Sequence, residues 1–494
     1  MGSRAALVVG SGCSGLMLAA LLAKSGQEVV LVESQSTPGG YLRRFVREKQ
    51  FWDTGYHFTG GSTGIMPQLL ALIGVESSKI KFTPLDHRIF IPRAGVDMVL
   101  PGNCGFDGCV ASFAAMFPKE KDQLSRYLDI ERSVWETTPF NTLLRTPQQG
   151  LELSDWDFKT VAQTAAECGL SPEAQAAVNS FAMCHGSLPQ EAPMSFHSRV
   201  SYLMHTGLSR EENGGDAIIA GFMKTAEKYG IRLLCNTTIA EIRAAAGDCR
   251  EAVLTNGEVV ATSGIYFTIH PSAAMPLLPQ ECLTPSIQRR IRRMTESCSF
   301  ITAYFNVDDT ADFTAQLADR FTGIDLDEML RATDPAVYGT GIMLHKETDF
   351  DGNIRNAITA FRTAACGTPA GFPVTHRDRL ASPEYQAYKA QKTLEIENDI
   401  LAVFPQFAGH LHQVESGTPL TNLTWQPPTG SAYGVRCICG QTRISGNIPG
   451  TNCFIAGQSS LVPGVMGAML SGVSLFYQLA GEQLYHKILR QAGI

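Results

Sequence analysis

Three glycines and one glutamate carry the first chemistry readable in this chain of 494 residues. Gly10, Gly12 and Gly15 stand at GxGxxG spacing in the run GSGCSG, directly after the apolar residues 6–9. Glu33 closes a second strand-like run, residues 28–32, EVVLV. Gly10 permits a tight turn, Gly12 lets a pyrophosphate approach the backbone, and Gly15 lets a helix pack close to the preceding strand. Amides at the start of that helix face the phosphates, where the helix dipole favours negative charge. A carboxylate at the tip of the second strand accepts hydrogen bonds from a ribose. Alone, the glycine pattern is a weak signal. In register with a strand, a helical run over 16–24, a second strand and an acidic residue, it specifies a dinucleotide site.

The elements that must hold this site come from separate parts of the chain. A turn at 37–40 is followed by Tyr41, Arg43, Arg44 and Phe45, and residues 51–61, FWDTGYHFTGG, set glycines densely around an aromatic strand. Such density marks close approach of the backbone to something flat or bulky. Gly214 and Gly215 open a helix over 217–229, followed by strands at 231–234 and 238–242. A hairpin at Asn256 and Gly257 comes next, then a strand at 265–269 ended by His270 and Pro271. A third block is a strand at 453–456 running into Gly457, with a glycine-containing helix over 465–480. Between the blocks the texture changes. Residues 84–210 read as mainly helical, with loops at Thr138 and Pro139 and over 145–150. Residues 280–420 mix strands at 299–307 and 356–361 with a charged amphipathic helix over 383–404. The pattern predicts an α/β chain of two domains. A discontinuous dinucleotide domain takes residues 1–83, 211–279 and 421–494, and a second domain is inserted as 84–210 and 280–420.

Composition narrows the function. Apolar residues make up 44% and charged ones 18%, the balance of a folded protein with a sizeable core. A net charge of −7 and the lack of any extended Lys/Arg run exclude a nucleic-acid track. The 13 cysteines include no CxxC pair. Cys437 and Cys439, which a strand would put on one face, have no partner at zinc-site spacing, so no metal is expected. Scattered cysteines suit a reducing, cytoplasmic setting. With the first strand starting so near Met1, no signal peptide is expected. Residues 461–480, broken by Pro463 and glycines, read as a buried segment and not as a membrane span.

Several motifs in order span nearly the whole chain: GSGCSG with Glu33, TPGGYLRRF, FWDTGYHFTGG, NGGDAIIAGF, the turn at 270–271, GTPLT, TGSAYG and FIAGQSSLVPGVMGAMLSG. In these the chain resembles the FAD-dependent amine oxidase and phytoene desaturase superfamily. Within it, the chain is similar to the branch of carotenoid isomerases and all-trans-retinol saturases, and DTGYHF, GTPLT and SAYG resemble the saturase group most. The resemblance implies a Rossmann-type FAD-binding domain of the glutathione-reductase and amine-oxidase kind with an inserted α+β substrate domain. It also implies noncovalent FAD. The pyrophosphate would rest on Gly10, Gly12 and Gly15, with Ser14 in the same loop, and the adenosine ribose on Glu33. Gly40 and Arg44 would line the phosphate-to-ribityl stretch, Arg44 as a charge-assisted donor. Ile239 would offer backbone groups to the adenine, and Gly457 and Gln458 would approach the pyrophosphate and ribityl chain. Val465 and Met466 would aim the positive end of the last helix at the flavin pyrimidine, stabilising the anionic reduced ring.

In such an enzyme the flavin carries the chemistry, and the protein supplies orientation, a dry cavity and charge. The expected reaction is hydride transfer from reduced flavin to a double bond of an apolar polyene or isoprenoid. Saturation comes first, with redox-neutral isomerisation and desaturation as alternatives. A flavin-free prenyl-lipid carrier of the GDP-dissociation-inhibitor type is the alternative of another class, disfavoured by the intact GSGCSG and PGVMGA. No second GxGxxG unit is present for a pyridine nucleotide, so the electron donor or acceptor is expected to be diffusible. His57 is a candidate proton donor or a ring packed on the glycine-rich turn. Tyr433 is a phenol donor or an aromatic wall. His197 and His205 are expected in the core or a pocket wall, His270 at a strand terminus, and His410 and His412 in solvent. Substrates this apolar reside in bilayers, which predicts peripheral contact with the inner face of a membrane through an apolar patch near 106–117.

Overall fold

Ala5–Val9, AALVV, is apolar and buried at every position, as a strand covered on both faces must be. In a computed structural model it is a central strand of an eight-stranded sheet. The model describes residues 4–146, 153–309, 311–331, 334, 336–367, 371–373, 375–425, 428–441 and 443–494, so the loop expected over 145–150 lies mostly outside the described residues. Strand order across the sheet is Ile239–Ala245, Asp248–Leu254, Val259–Phe267, Ala5–Val9, Val29–Val32, Arg232–Leu234, with Cys453–Ile455 parallel to Val259–Phe267. Val9 pairs with Val32, so the loop after one strand and the acidic tip of the other meet at the carboxyl edge. Open α/β sheets bind ligands at that edge. Helix Cys13–Lys24 is buried from Ser14 to Ala23, and packs with Asp216–Tyr229 and Gly464–Gln491 in one core.

A second, seven-stranded sheet runs Leu411–Gly417, Ser299–Val307, Ile354–Ala364, Gly339–Thr348, Gln316–Phe321, Asp86–Ile91, Val96–Leu100. It is antiparallel except where Gln316–Phe321 meets Asp86–Ile91. One face packs on helix Pro383–Val403 through Ile396, Ile400 and Val403. The other meets a helical layer that includes Gly105–Met116, Lys121–Thr137 and Met194–Thr206. The first sheet thus takes its strands from residues 5–32, 232–267 and 446–455, and the second from 86–100 and 299–417.

The structure corrects three expectations. Residues 86–100, read as part of a mainly helical stretch, include two paired strands whose positions alternate buried and exposed around a turn at Gly95, φ +64°. Cys437 and Cys439 lie in a loop, not a strand, where their amides bond Ser187 and Glu191. Phe106 and Phe113 point into the core, so helix Gly105–Met116 presents no apolar patch of theirs to a membrane. The expected buried segment near 461–480 belongs to helix Gly464–Gln491, long and apolar enough by composition to cross a membrane. Half of its most apolar stretch is nonetheless buried in the protein. A Cβ on Gly472 would lie 2.8 Å from Ser14 O, so this helix touches the glycine-loop helix at its backbone.

Candidate active site

The glycine loop divides its work among its glycines. A Cβ on Gly15 would lie 1.9 Å from Gly10 O, and one on Gly10, at φ +95°, would lie 2.6 Å from Ile269 Cγ2. Packing within the protein demands these two. A Cβ on Gly12 would meet nothing within 4 Å. Gly12 is also the N-cap of helix Cys13–Lys24 and supplies no side-chain cap, so the leading amides stay free for a ligand. Gly40 closes the cradle from the other side, its Cβ position 3.0 Å from Gly12 Cα. Ser14 is buried in the same turn, its hydroxyl unpartnered among the described residues. Glu33 is fixed at the edge of the loop, accepting from Ser11 N at 3.0 Å, Ser11 Oγ at 2.5 Å and Gln35 N at 2.9 Å. Open space over an uncapped helix start, beside a fixed carboxylate, fits a dinucleotide.

The remaining expected contacts are more widely placed. Ile239 opens a strand paired with Leu254 and is buried, and the nearby Thr237 amide donates to Glu33 O at 2.9 Å. Gly457 holds φ +126°, and its amide is spent on Ser471 Oγ at 2.8 Å, with Gln458 following. Arg44 is a correction. Its guanidinium lies 2.8 Å from Asp216 and 3.2 Å from Glu347, so it is neutralised within the protein and is not a free donor for phosphates.

From Gly40 the chain passes through Tyr41 into a cavity of about 490 Å³, a volume usual for small-molecule sites. Leu203, Met204, Phe300 and Phe361 make its walls apolar, and Arg199 is the one permanently charged side chain among its described lining residues. Val465 and Met466 line it where the last helix begins, behind Pro463 and again with no side-chain cap. Lining residues continue along that helix to Gln478, a span of ~20 Å at 1.5 Å per residue. His57 stacks on Phe361, ring centroids 5.4 Å apart and nearly parallel, and its Nδ1 has no partner among the described residues. Burial pulls its pKa down to about 4, so the imidazole is neutral at pH 7. Tyr433 stands edge-on to Phe300 at 6.0 Å, and burial holds its hydroxyl protonated, well above the usual range. The structure therefore brings His57, Tyr433, Val465 and Met466 to one cavity.

His197 and His205 are core residues, bonded to His185 and Glu131 at 2.9 Å and 2.8 Å. His270 caps helix Pro271–Ala274 and reaches Glu296 at 3.2 Å, and His410 and His412 bond Asp308 near the surface. Among the described residues no cluster of His, Cys, Asp or Glu is placed to hold a metal. Sequence reasoning missed a buried charge ladder behind the cavity. Arg210 pairs with Asp53 and Glu347, and Arg44 continues from Glu347 to Asp216. Arg210 also donates to His57 O at 3.1 Å. Arg199 was missed too, although a lone Arg within MSFHSRVSYLMHT was its visible signal.

A family model described as an NAD(P)-binding Rossmann-like domain matches residues 8–71. Over nearly its whole length the chain is similar to two all-trans-retinol 13,14-reductases. That of Danio rerio is 22% identical over 526 residues, covering 95% of this chain and 84% of the relative. That of Homo sapiens is 23% identical over 555 residues, covering 97% and 86%. A solved structure of putrescine oxidase bound to putrescine matches with a TM-score of 0.64 at 13% identity, covering 97% of this chain and 100% of that one. Likeness at that identity shows a shared fold. The resemblance to the retinol saturase branch and the expected fold class, α/β with a Rossmann-type domain and an α+β second part, are both borne out.

Proposed function

We propose that the chain is an FAD-dependent oxidoreductase that moves hydride between flavin and a carbon–carbon double bond of an apolar polyene of the retinoid or carotenoid kind, in the direction of saturation. The observation that carries this reading is a junction. An open dinucleotide cradle at Gly12 leads through Gly40 and Tyr41 into a long apolar cavity at which a second uncapped helix begins. The name shared by the full-length relatives, all-trans-retinol 13,14-reductase, supports the substrate class.

A noncovalently bound flavin would supply the hydride donor and acceptor. The chain's own residues do the rest. The free amides after Gly12 hold a pyrophosphate, and Glu33 holds a ribose. The leading amides of Gly464–Gln491 favour negative charge on the ring beside Val465 and Met466. Leu203, Met204, Phe300 and Phe361 exclude water and gain roughly 25 cal/mol for each Å² of polyene they cover. Tyr433, kept protonated, is the wall group with a proton to give to the reacting carbon, and the neutral ring of His57 can relay one, accepting at one nitrogen as it releases from the other. Electrons arrive from a diffusible donor. Exposed Leu144 follows the cavity-lining Phe140, and exposed Phe158 adjoins Asp157 near Arg199. These exposed apolar side chains are where we expect a bilayer to meet the protein, and flotation with liposomes checks it.

The test is anaerobic mixing of the protein, its flavin chemically reduced, with all-trans-retinol and lycopene. Loss of polyene absorbance with reoxidation of the flavin supports saturation. A new geometric isomer with the flavin still reduced would replace it by isomerisation. A colourless protein that cannot be reconstituted with FAD would overturn the enzyme reading.

A further inference from the structure

Arg199 does not belong in a cavity built only for hydrocarbon. It stands on helix Met194–Thr206, on the side that turns Val200, Leu203 and Met204 to the cavity. Its Nε donates to Thr138 Oγ1 at 3.1 Å, the single hydrogen bond it makes among the described residues. The nearest carboxylate, Asp157, is 3.9 Å from its terminal nitrogen and already accepts from Ser195 Oγ at 2.5 Å and Ser154 N at 2.8 Å. A guanidinium carries five N–H donors and no acceptor. Most of this one's donors therefore lack a partner among the described residues, in a wall whose other described residues are uncharged. Burial presses against its charged form. A cation so placed is stabilised by an anion that enters with the ligand.

The cavity has a direction. Leu203, one helical turn beyond Arg199, lies 3.1 Å from the Cβ position of Gly61, which is itself 3.2 Å from Met466 Sδ. That end meets the last helix and the approach from the cradle. Arg199 bonds Thr138, two residues before Phe140, whose ring lies 5.9 Å from Tyr477, well along the last helix from Met466. A charged end and a redox end thus face each other along one apolar channel.

Resting on the polyene reading, we propose that the substrate bears a carboxylate at one end, which Arg199 binds through its forked terminal nitrogens, and that this anchor selects which double bond reaches the reacting end. A planar carboxylate matches the guanidinium fork with two parallel bonds, a fit that a hydroxyl cannot reproduce. Arg199 is here a specificity-determining residue, and it takes no part in the hydride step.

Equilibrium binding to the flavin-loaded protein tests this, read by quenching of intrinsic fluorescence, with Trp135 on the cavity wall as one reporter. The ligands are all-trans-retinoic acid, all-trans-retinol and stearic acid, and the proteins are wild type, Arg199→Met and Arg199→Lys. Wild type is expected to prefer retinoic acid to retinol by about tenfold or more, the worth of a charge-assisted pair. Arg199→Met should lose that preference while weakening retinol far less, and Arg199→Lys should keep part of it. No preference in wild type, or equal weakening of acid and alcohol in either variant, overturns the anchor and leaves the polyene reading standing. Arg199-dependent binding of stearic acid without either retinoid supports the anchor and overturns the polyene. Failure of all three ligands to bind overturns both.

Discussion

Gly12 and Gly15 lie in one turn and answer to opposite demands, which makes them a matched test. The Cβ of Gly12→Val enters space that no protein atom fills, so the apoprotein is expected to melt close to wild type while retaining no FAD. The Cβ of Gly15→Ala would sit 1.9 Å from Gly10 O and must push helix from strand, costing about 1–3 kcal/mol or more. Melting the two apoproteins and measuring flavin per chain separates them, and a yellow Gly12→Val would show that the pyrophosphate lies elsewhere. His57 offers a second test. Its pKa, pulled down to about 4 by burial, leaves no imidazolium to lose near pH 6.5. We expect His57→Phe to slow turnover by about 10²-fold with FAD still bound, and to remove no ionisation from the pH profile above pH 5. Unchanged turnover would assign the ring to stacking on Phe361. Glycines and Glu33 could be read in the sequence because their task is set by local backbone. The tasks of Arg44 and Arg199 could not, since Arg44 meets a partner 303 positions away and Arg199 owes its meaning to an apolar wall assembled from stretches far apart in the chain.

Short elements around the cavity are joined by ion pairs as well as by apolar packing. Asp53 ends strand Gln50–Asp53, Arg210 is the middle of Ser209–Glu211, and Glu347 lies on Gly339–Thr348 of the second sheet. Arg210 bonds both carboxylates, with side-chain exposures of 8%, 2% and 7% along the chain of contacts, so solvent screens little of it. Removing one member of a buried set strands the others. Arg210→Met should therefore destabilise the protein by about 3–5 kcal/mol in urea unfolding, and should free the carbonyl of His57 that Arg210 holds. A loss below about 1 kcal/mol would place the set in the range of exposed pairs. The same elements show what pattern can and cannot reveal. Ser299–Val307 and Pro383–Val403 were readable because long runs of period 2 or 3.6 survive local noise. Asp86–Ile91 was not, because Asp86, His87 and Arg88 hide its alternation, and His87 is buried against Phe181 with its bond to Asp319 at 2.7 Å. The hairpin at 246–247 was equally hidden, since Ala246 takes φ +50° with no Asn or Asp to announce the turn.

For the molecule as a whole, two glutamates flanking Arg210 set opposing pH dependences. Glu347 is buried, which alone would favour its neutral form, yet His345, Arg210 and Arg44 hold its pKa down to about 2. The stability it contributes is full above its unfolded value near 4.5 and is lost as pH falls toward 2. Glu211 is its mirror. Its carboxyl has no hydrogen-bond partner of ordinary geometry among the described residues, and burial raises its pKa to about 8. Between pH 4.5 and 8 the unfolded chain has released this proton while the folded protein keeps it, so stability falls as pH rises across that window and levels off above it. Each unit of difference is worth about 1.4 kcal/mol, which makes the total a few kcal/mol. Glu211→Gln keeps the shape of the protonated acid and cannot ionise in either state. It should match wild type near pH 5 and exceed it by roughly 2–4 kcal/mol at pH 8. Urea unfolding of both proteins at the two pH values decides the matter, and parallel changes with pH would show that Glu211 is ionised in the folded protein and that a cation near Arg210 still has charge to spare for it.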